Sequence, residues 1–545
     1  MNYIGVLLAV TFLFSTAGLF AFVWSLSSKT PAGQRRNAEV IFQGVGLVEE
    51  PAGTTTQERA LQTEMTGTAA QAAASSISAD ELAALDRSSR TAFLTFMFGA
   101  MAWLLIGSVA GLIASLKLHF PDWLVEQPEL TFGRIRSLHL NAVAYGWSAM
   151  SGLAMALWLF PRLLRTPLVG ARFAVAGAAL WHMGLFLGAT AVVLGWNGGM
   201  DWLEIPKVFT PLISLGGALV GVPLVLTLFQ RKVDHLYVSV WYLSAAVIWF
   251  PILYIVANLP GVHFGVQAAL VNWWYGHNVL GYFVTPVAIG TAYYLIPKVL
   301  GRPIASYNLS LVGFWALALF YGQAGVHHLV GGPLPTWVVS VGVVASIMMV
   351  VPVIAFAVNQ MLTMKGNWRA LKLSPTLRFA VVGAAGYIGS SIEGSFEALR
   401  SVSTVMHFTH ATVAHAHFGL YTFFSFIMFA GVYFALPRVL EREWPYPKLI
   451  SWHFWLAFIG MLIYVVGLTV GGVLQGEAML DAKRPFIESV LLTMPYLQAR
   501  SIGGAMMVLS HFIFVGHAAL LAFERGPQRS GPAYFRAGPA SGQAA

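Results

Sequence analysis

Long apolar runs separated by short polar ones set the pattern of this chain. Thirteen of these runs reach the roughly 20 residues that a helix needs to cross about 30 Å of hydrocarbon. The first runs from Tyr3 to Leu26. Twelve follow, at 91–117, 135–161, 171–197, 206–229, 237–259, 270–298, 307–331, 335–363, 376–399, 404–437, 447–475 and 499–524. Backbone groups in lipid must bond to one another, so each run is predicted to be an α-helix and the fold class to be all-α and polytopic. Loops between the runs are short, and no internal repeat stands out. The domain plan is an N-terminal transmembrane helix (1–27), a cytoplasmic linker (28–90), a twelve-helix core (91–525) and a cytoplasmic tail (526–545). The first helix has no strong positive flank before it and is expected to stay uncleaved. The linker is rich in Thr, Ala, Gly and Gln as far as residue 80, and Ser78 with Glu81 forms a capping box that opens a short amphipathic helix into the core.

Composition supports the membrane reading. Mean hydropathy is +0.70, with 57% hydrophobic and 10% charged residues, far from the values of soluble domains. The net charge of +9 would suit nucleic acid only if it formed a patch. Instead, with the first core helix starting inside, 23 of the 31 Lys and Arg fall on the inner side and 8 on the outer. The positive-inside rule then puts Arg90 and the C-terminal tail in the cytoplasm and excludes a nucleic-acid partner. With no cysteine, disulfides, covalently attached c-type haem and thiolate-ligated metal centres are excluded in this chain, so if electrons pass through it another subunit must deliver them.

The candidate chemistry lies in histidines within apolar runs. Residues 404–419 read TVMHFTHATVAHAHFG. Residues two apart on a helix point roughly 200° from each other, so His415 and His417 face opposite sides and serve different partners. His139 stands in RSLHLN, His277 in WWYGHN, and His327 and His328 in AGVHH. Imidazoles in hydrocarbon must be bonded or ligated. By the alternation of spans, all six lie in the outer half of the bilayer and can form one layer. His327 and His328 can converge with His277 on copper, iron or zinc. One of His415 and His417 can pair with His139 on an electron-transferring haem, and the other can hold a haem with an open position.

RSLHLN, WWYGHN, YGQAGVHH and AHAH, in this order and spacing, resemble the catalytic subunit of haem-copper oxidases, most closely the C-type or cbb3-type cytochrome c oxidases. The resemblance covers about 90–525. It implies that His139 and His417 hold a low-spin haem b, that His415 is the proximal ligand of a high-spin haem b3, and that His277, His327 and His328 bind the copper CuB. It implies that Tyr321 is covalently linked to His277, supplying the further electron and proton that splitting dioxygen requires. It also implies c-type cytochrome subunits as donors, dioxygen as substrate, a lipid surround in a bacterial inner membrane, and a calcium ion near the haem propionates. Arg136, one turn before His139, is placed to pair with a propionate. Glu393 resembles a family glutamate near haem b3, and Glu397 and His407 lie beside it.

A proton route from the inner side is expected from Ser310, Tyr293, Tyr294, Ser346 and Asn359, together with Tyr321. Val326 and His410 depart from the family pattern, which often has Pro and an acidic residue there. Residues 1 to about 50, with FVWSL closing the span, are similar to the small membrane assembly protein of the same oxidase system, although its acidic stretch is absent. An extra anchor helix is the alternative. His182, His453, His511 and His517 have no motif context and are expected to be structural. Two rival functions stay open, namely a nitric oxide reductase of the same superfamily, with non-haem iron in place of copper, and a non-catalytic haem-binding membrane protein. The run after His277, NVLGYFVTPVAIG, lacks the glutamates of the former.

Overall fold

The computed structural model describes Ile77 and residues 79–527. The expected N-terminal helix, the linker as far as residue 76, Ser78 and the tail from 528 onward lie outside the described residues. Twelve long helices follow in order: α1 (Ala79–Lys117), α2 (Phe132–Leu164), α3 (Ala171–Val193), α4 (Lys207–Phe229), α5 (Val238–Asn258), α6 (Gly265–Leu300), α7 (Tyr307–Leu329), α8 (Thr336–Met364), α9 (Pro375–Glu397), α10 (His410–Leu440), α11 (Pro447–Leu480) and α12 (Phe486–Ala522). Eleven of them are long and apolar enough to cross a membrane. The other, α9, matches them in length, but its sequence is rich in Gly and Ser and carries Arg378, Glu393 and Glu397.

Three helices form the centre. The most apolar windows of α2, α6 and α10 are 89%, 89% and 94% buried, whereas those of the other spans are 33–56% buried. Each central helix has the same construction. A histidine-bearing first stretch passes into a π-helical segment at Ala142–Ser148, Leu280–Val284 or Phe418–Ser425. A regular helix follows and closes on FPRLL, IPKVL or LPRVL. Its left-handed cap is Arg165 (φ 50°), Gly301 (φ 65°) or Glu441 (φ 55°). The chain therefore does hold a repeat, which hydropathy alone conceals because one motif recurs within otherwise dissimilar apolar runs.

Two boundaries differ from the sequence reading. The expected span 404–437 is broken: a short helix, Arg400–Met406, ends before Phe408 (φ 63°), and α10 starts at His410. The Thr409 hydroxyl caps it by accepting from the Ala411 amide at 3.2 Å, an arrangement that a hydropathy window does not detect. The last helix begins at Phe486 rather than near 499, and at 37 residues it is roughly 55 Å long, well beyond a bilayer's apolar thickness. It packs along α11 at glycine contacts, where a methyl on Gly460 would sit 2.7 Å from the Gly503 carbonyl.

At the opposite end, α1 is anchored to α2. Asp86 accepts from Arg162 Nη1 at 2.8 and 2.7 Å, with both side chains buried, and Arg162 Nε donates to the Tyr294 hydroxyl at 3.3 Å.

Candidate metal centre

The antiparallel order of the helices brings the six histidines to one end of the bundle. His139, His277, His415 and His417 lie in the first halves of α2, α6 and α10, and His327 and His328 lie in a 3₁₀ turn, Gly325–Leu329, that ends α7. One cavity of about 500 Å³ touches all six, together with Tyr321 and Arg136.

The six histidines separate in space into a cluster of three, a pair and a single ring. The nitrogens of His277, His327 and His328 lie within 4.8 Å of one another, close enough for one ion. Across the same cavity the rings of His139 and His417 are nearly parallel, at 9°, with centroids 6.0 Å apart. One metal with imidazole bonds of roughly 2 Å on each side fits that separation. His415 turns away from this pair, and its Nδ1 meets Glu393 Oε2 at 3.3 Å.

Hydrogen bonds fix which nitrogen each ring presents. His139 Nδ1 donates to the Gly107 carbonyl and His417 Nδ1 to the Val413 carbonyl, each at 2.8 Å, which leaves Nε2 as the free lone pair. His327 Nδ1 lies 2.7 Å from Ser346 Oγ. The Ser346 hydroxyl donates to the Gly342 carbonyl, so its oxygen accepts from the ring. His277 differs: its Nδ1 is buried without a protein partner. An orphaned imidazole nitrogen within a three-histidine cluster is what a metal ligand looks like when the ligand set is viewed alone. His417 Nε2 meets the Tyr464 hydroxyl at 3.2 Å, a hydrogen bond that a metal at this atom displaces. The Tyr321 ring lies 4.6 Å from that of His277. Gly281, in the π segment of α6, makes room for it, since a methyl there would overlap the phenol ring.

Arg136 lines the cavity and also bonds Asp201 at 2.6 Å and Glu204 at 3.4 Å, both from the loop joining α3 to α4. Burial pushes the Glu204 carboxyl up to about 7, against the opposing pull of Arg136 and of Asn141, which donates to it at 3.1 Å. The proton-route residues do not form one line. Tyr293 and Asn359 face each other on α6 and α8, Asn359 Nδ2 donates to the Ser306 carbonyl at 2.7 Å, and Ser310 stands one turn along α7. Tyr294 turns to Arg162 instead, and Ser346 belongs to His327. Glu397 is at the end of α9, and His407 stacks on Phe408 at 3.8 Å.

Several residues escaped the sequence reading. Trp273 stacks on His328 at 4.3 Å, and Arg500 approaches the Tyr464 ring at 5.5 Å and lines the cavity. A cation inside an apolar run was a usable signal for Arg500. Asp201 and Glu204 gave none, because acids in a polar loop are ordinary.

Twelve helices around a paired-imidazole site and a three-imidazole site define a polytopic membrane protein built to hold metal. Residues 91–506 match the family Cytochrome C and Quinol oxidase polypeptide I, and the chain belongs to that family. It is 33% identical over 427 residues to the cbb3-type cytochrome c oxidase subunit CcoN1 of Stutzerimonas stutzeri, covering 75% of this chain and 90% of that one. It is 32% identical over 438 residues to cytochrome c oxidase subunit 1 of Rhodobacter capsulatus, covering 75% and 81%. Among solved structures it resembles a haem-copper terminal oxidase dimer determined by electron cryomicroscopy, with a TM-score of 0.66, 16% identity and coverage of 82% and 85%. That last likeness concerns the fold alone. The chain is a haem-copper oxidase subunit I, homologous to the cbb3 type.

Proposed function

We propose that this chain is the catalytic subunit of a respiratory oxidase that reduces dioxygen to water, with electrons from c-type cytochrome subunits, in a bacterial inner membrane, coupled to proton translocation. The observation that carries this reading is the cluster of His277, His327 and His328 with the Tyr321 phenol against it, facing His415 across one cavity. His139 and His417 would hold low-spin haem b, His415 would hold haem b3, and the three-histidine cluster would hold copper. When bound, the haem iron and the copper would supply electrons for the reduction of dioxygen. Arg136, with Asp201 and Glu204, forms the polar rim where propionates and a calcium ion would sit.

The chain's own residues position and protonate. Ser346, Gly107 and Val413 fix the imidazole tautomers. Tyr321 lies about two turns along α7 from His327, on the side of the arginine- and lysine-rich end of the bundle, and is placed to deliver a proton and an electron. Protons would reach it from Asn359, Ser310 and Tyr293, with Tyr387 as the last step. The Tyr387 hydroxyl is buried without a protein partner, and its side chain lines the cavity.

Metal analysis of the purified complex tests this. Two b-type haems and one copper for each copy of this chain are expected. Two haem irons with one further iron and no copper would favour a nitric oxide reductase, and haem without any third metal a haem-binding protein.

A further inference from the structure

At the histidine end of the bundle three polar side chains join the cavity that touches the six histidines to a second one at the surface. Ser115 and Leu118, at the close of α1, line the first. The second, of about 560 Å³, is formed by the turn that follows α1 and is lined by Leu116, His119, Phe120, Pro121, Asp122 and Trp123. Phe120 and Trp123 are exposed, so this cavity opens outward. Lys117 holds its wall by donating to the Trp123 carbonyl at 2.6 Å.

The link between the two is continuous. Ser115 Oγ on α1 lies 2.8 Å from Ser501 Oγ on α12, and Ser501 Oγ lies 2.8 Å from His119 Nε2. Both serines are buried. A serine in an apolar helix commonly gives its proton to a carbonyl one turn back, as Ser108 does to Leu104 and Ser346 to Gly342. Ser115 and Ser501 instead bond to each other across two helices. A hydroxyl donates and accepts at once, so Ser501 can accept from Ser115 while it donates to His119. The other nitrogen of that ring, Nδ1, is buried without a protein partner, and the ring lines the surface cavity. At the inner end, Ser115 stands one turn along α1 from Gly111, where a methyl would lie 2.6 Å from His139 Nδ1. The line of hydroxyls therefore starts beside the His139–His417 pair.

We propose that Ser115, Ser501 and His119 form a proton-release route from the low-spin haem pocket to the surface at the histidine end of the bundle. It rests on the haem assignment and the proton translocation proposed above, and it is separate from the path to Tyr321. An electron on the haem draws a proton into the pocket, and departure of the electron frees it. The freed proton bonds to Ser115 Oγ as the Ser115 proton passes to Ser501 and the Ser501 proton to His119 Nε2. The Nδ1 proton then leaves to water in the surface cavity. One proton enters and one leaves, so the three side chains keep no charge. The ring must rest neutral to accept, and burial, then the charge of Arg500, lowers its affinity for a second proton. Besides Arg500, the charged groups around His119 are Lys117, which is spent on Trp123, and Asp122 on the cavity wall.

The test uses the full oxidase complex in lipid vesicles with the cationic end of the bundle inward and a pH dye in the medium. Reduced complex is given a pulse of dioxygen, and the rate at which protons appear in the medium is read beside the haem spectra. The wild type should release protons. His119→Phe, which keeps the ring volume, and Ser501→Ala should each slow release at least tenfold with both haem spectra unchanged. Ser501→Thr, which restores the hydroxyl, should release as the wild type does. So should His263→Gln, in the loop joining α5 to α6. Ser115→Ala answers the same question if the other two variants do not assemble. Release at the wild-type rate in variants with intact spectra overturns the route alone, as does a wild type that reduces dioxygen and releases no proton to the medium. A wild type without a low-spin haem overturns the functional reading, and the route falls with it.

Discussion

For His139, His327 and His417 a hydrogen bond at Nδ1 dictates that Nε2 is presented to the cavity, so an uncharged acceptor across the ring can decide the affinity for a metal bound there. Ser346 shows this for His327. Ser346→Ala should leave the His327 ring free to rotate, and it should weaken copper binding by about 10- to 100-fold, the range usual for lost outer-shell partners. The check is the copper-to-haem ratio after dialysis against a mild chelator, with the haem spectra as internal control. Glu204 gives a residue-scale prediction in pH. Its carboxyl is raised by burial from 4.5 to about 7. Between those values the folded state therefore holds more protons than the unfolded one. Its contribution to stability is fully present below about pH 4.5 and is lost as pH rises through about 7. Glu204→Gln should flatten that part of the Tm-against-pH curve. A calcium ion held by this carboxylate would have to displace the proton, so any stabilisation of the wild type by added calcium should grow above pH 7 and be weaker in the variant.

At the scale of elements, the π segments of α2, α6 and α10 each follow a ligand histidine within three residues. The wider turn lets side chains from neighbouring helices approach the central three. Gly281 in the α6 segment is where the Tyr321 ring lies closest. Gly281→Ala should force that ring away from His277 at an overpacking cost of about 1–3 kcal/mol. Turnover should fall at least tenfold while both haem signals persist. Tyr321→Phe separates geometry from chemistry, since it keeps the ring in place and removes only the hydroxyl. It should also lose most turnover, but without a drop in Tm. Unaltered turnover in both variants would make Tyr321 a packing residue. The six histidines were legible in the sequence because a polar ring in an apolar run is costly and therefore conspicuous. Spans were legible for the same reason, and α9 shows the limit: its Gly- and Ser-rich stretch reads as a helix by length more than by hydropathy. The π turns, the Phe408 break and the attachment of Ser346 to His327 were not legible, because each depends on a partner distant in sequence or on backbone geometry that composition does not encode. The assignment of Tyr294 to an inner route overlooked Arg162, a cation in the apolar end of α2 that donates to the Tyr294 hydroxyl.

At the scale of the whole molecule, two asymmetries run in opposite directions along the bundle axis. The six histidines gather at the end where α2, α6 and α10 begin, and most of the Lys and Arg among the described residues gather at the other. The buried Arg162, Lys298 and Arg438 close the central helices at that cationic end. If the cationic end faces the cytoplasm, electrons enter near the outer surface while protons for Tyr321 climb from the inner one, and each dioxygen reduced moves charge across the membrane even before any pumping. The complex reconstituted in vesicles with the cationic end inward should therefore make the lumen more alkaline during turnover with an external donor, with a proton conductor removing the change. A reporter fused after Ala545 fixes the orientation independently, and should be active only from the cytoplasmic side. Lumen acidification in vesicles of that orientation, or a reporter active outside the cell, would invert the axis and send the protons past the histidine layer instead of toward it.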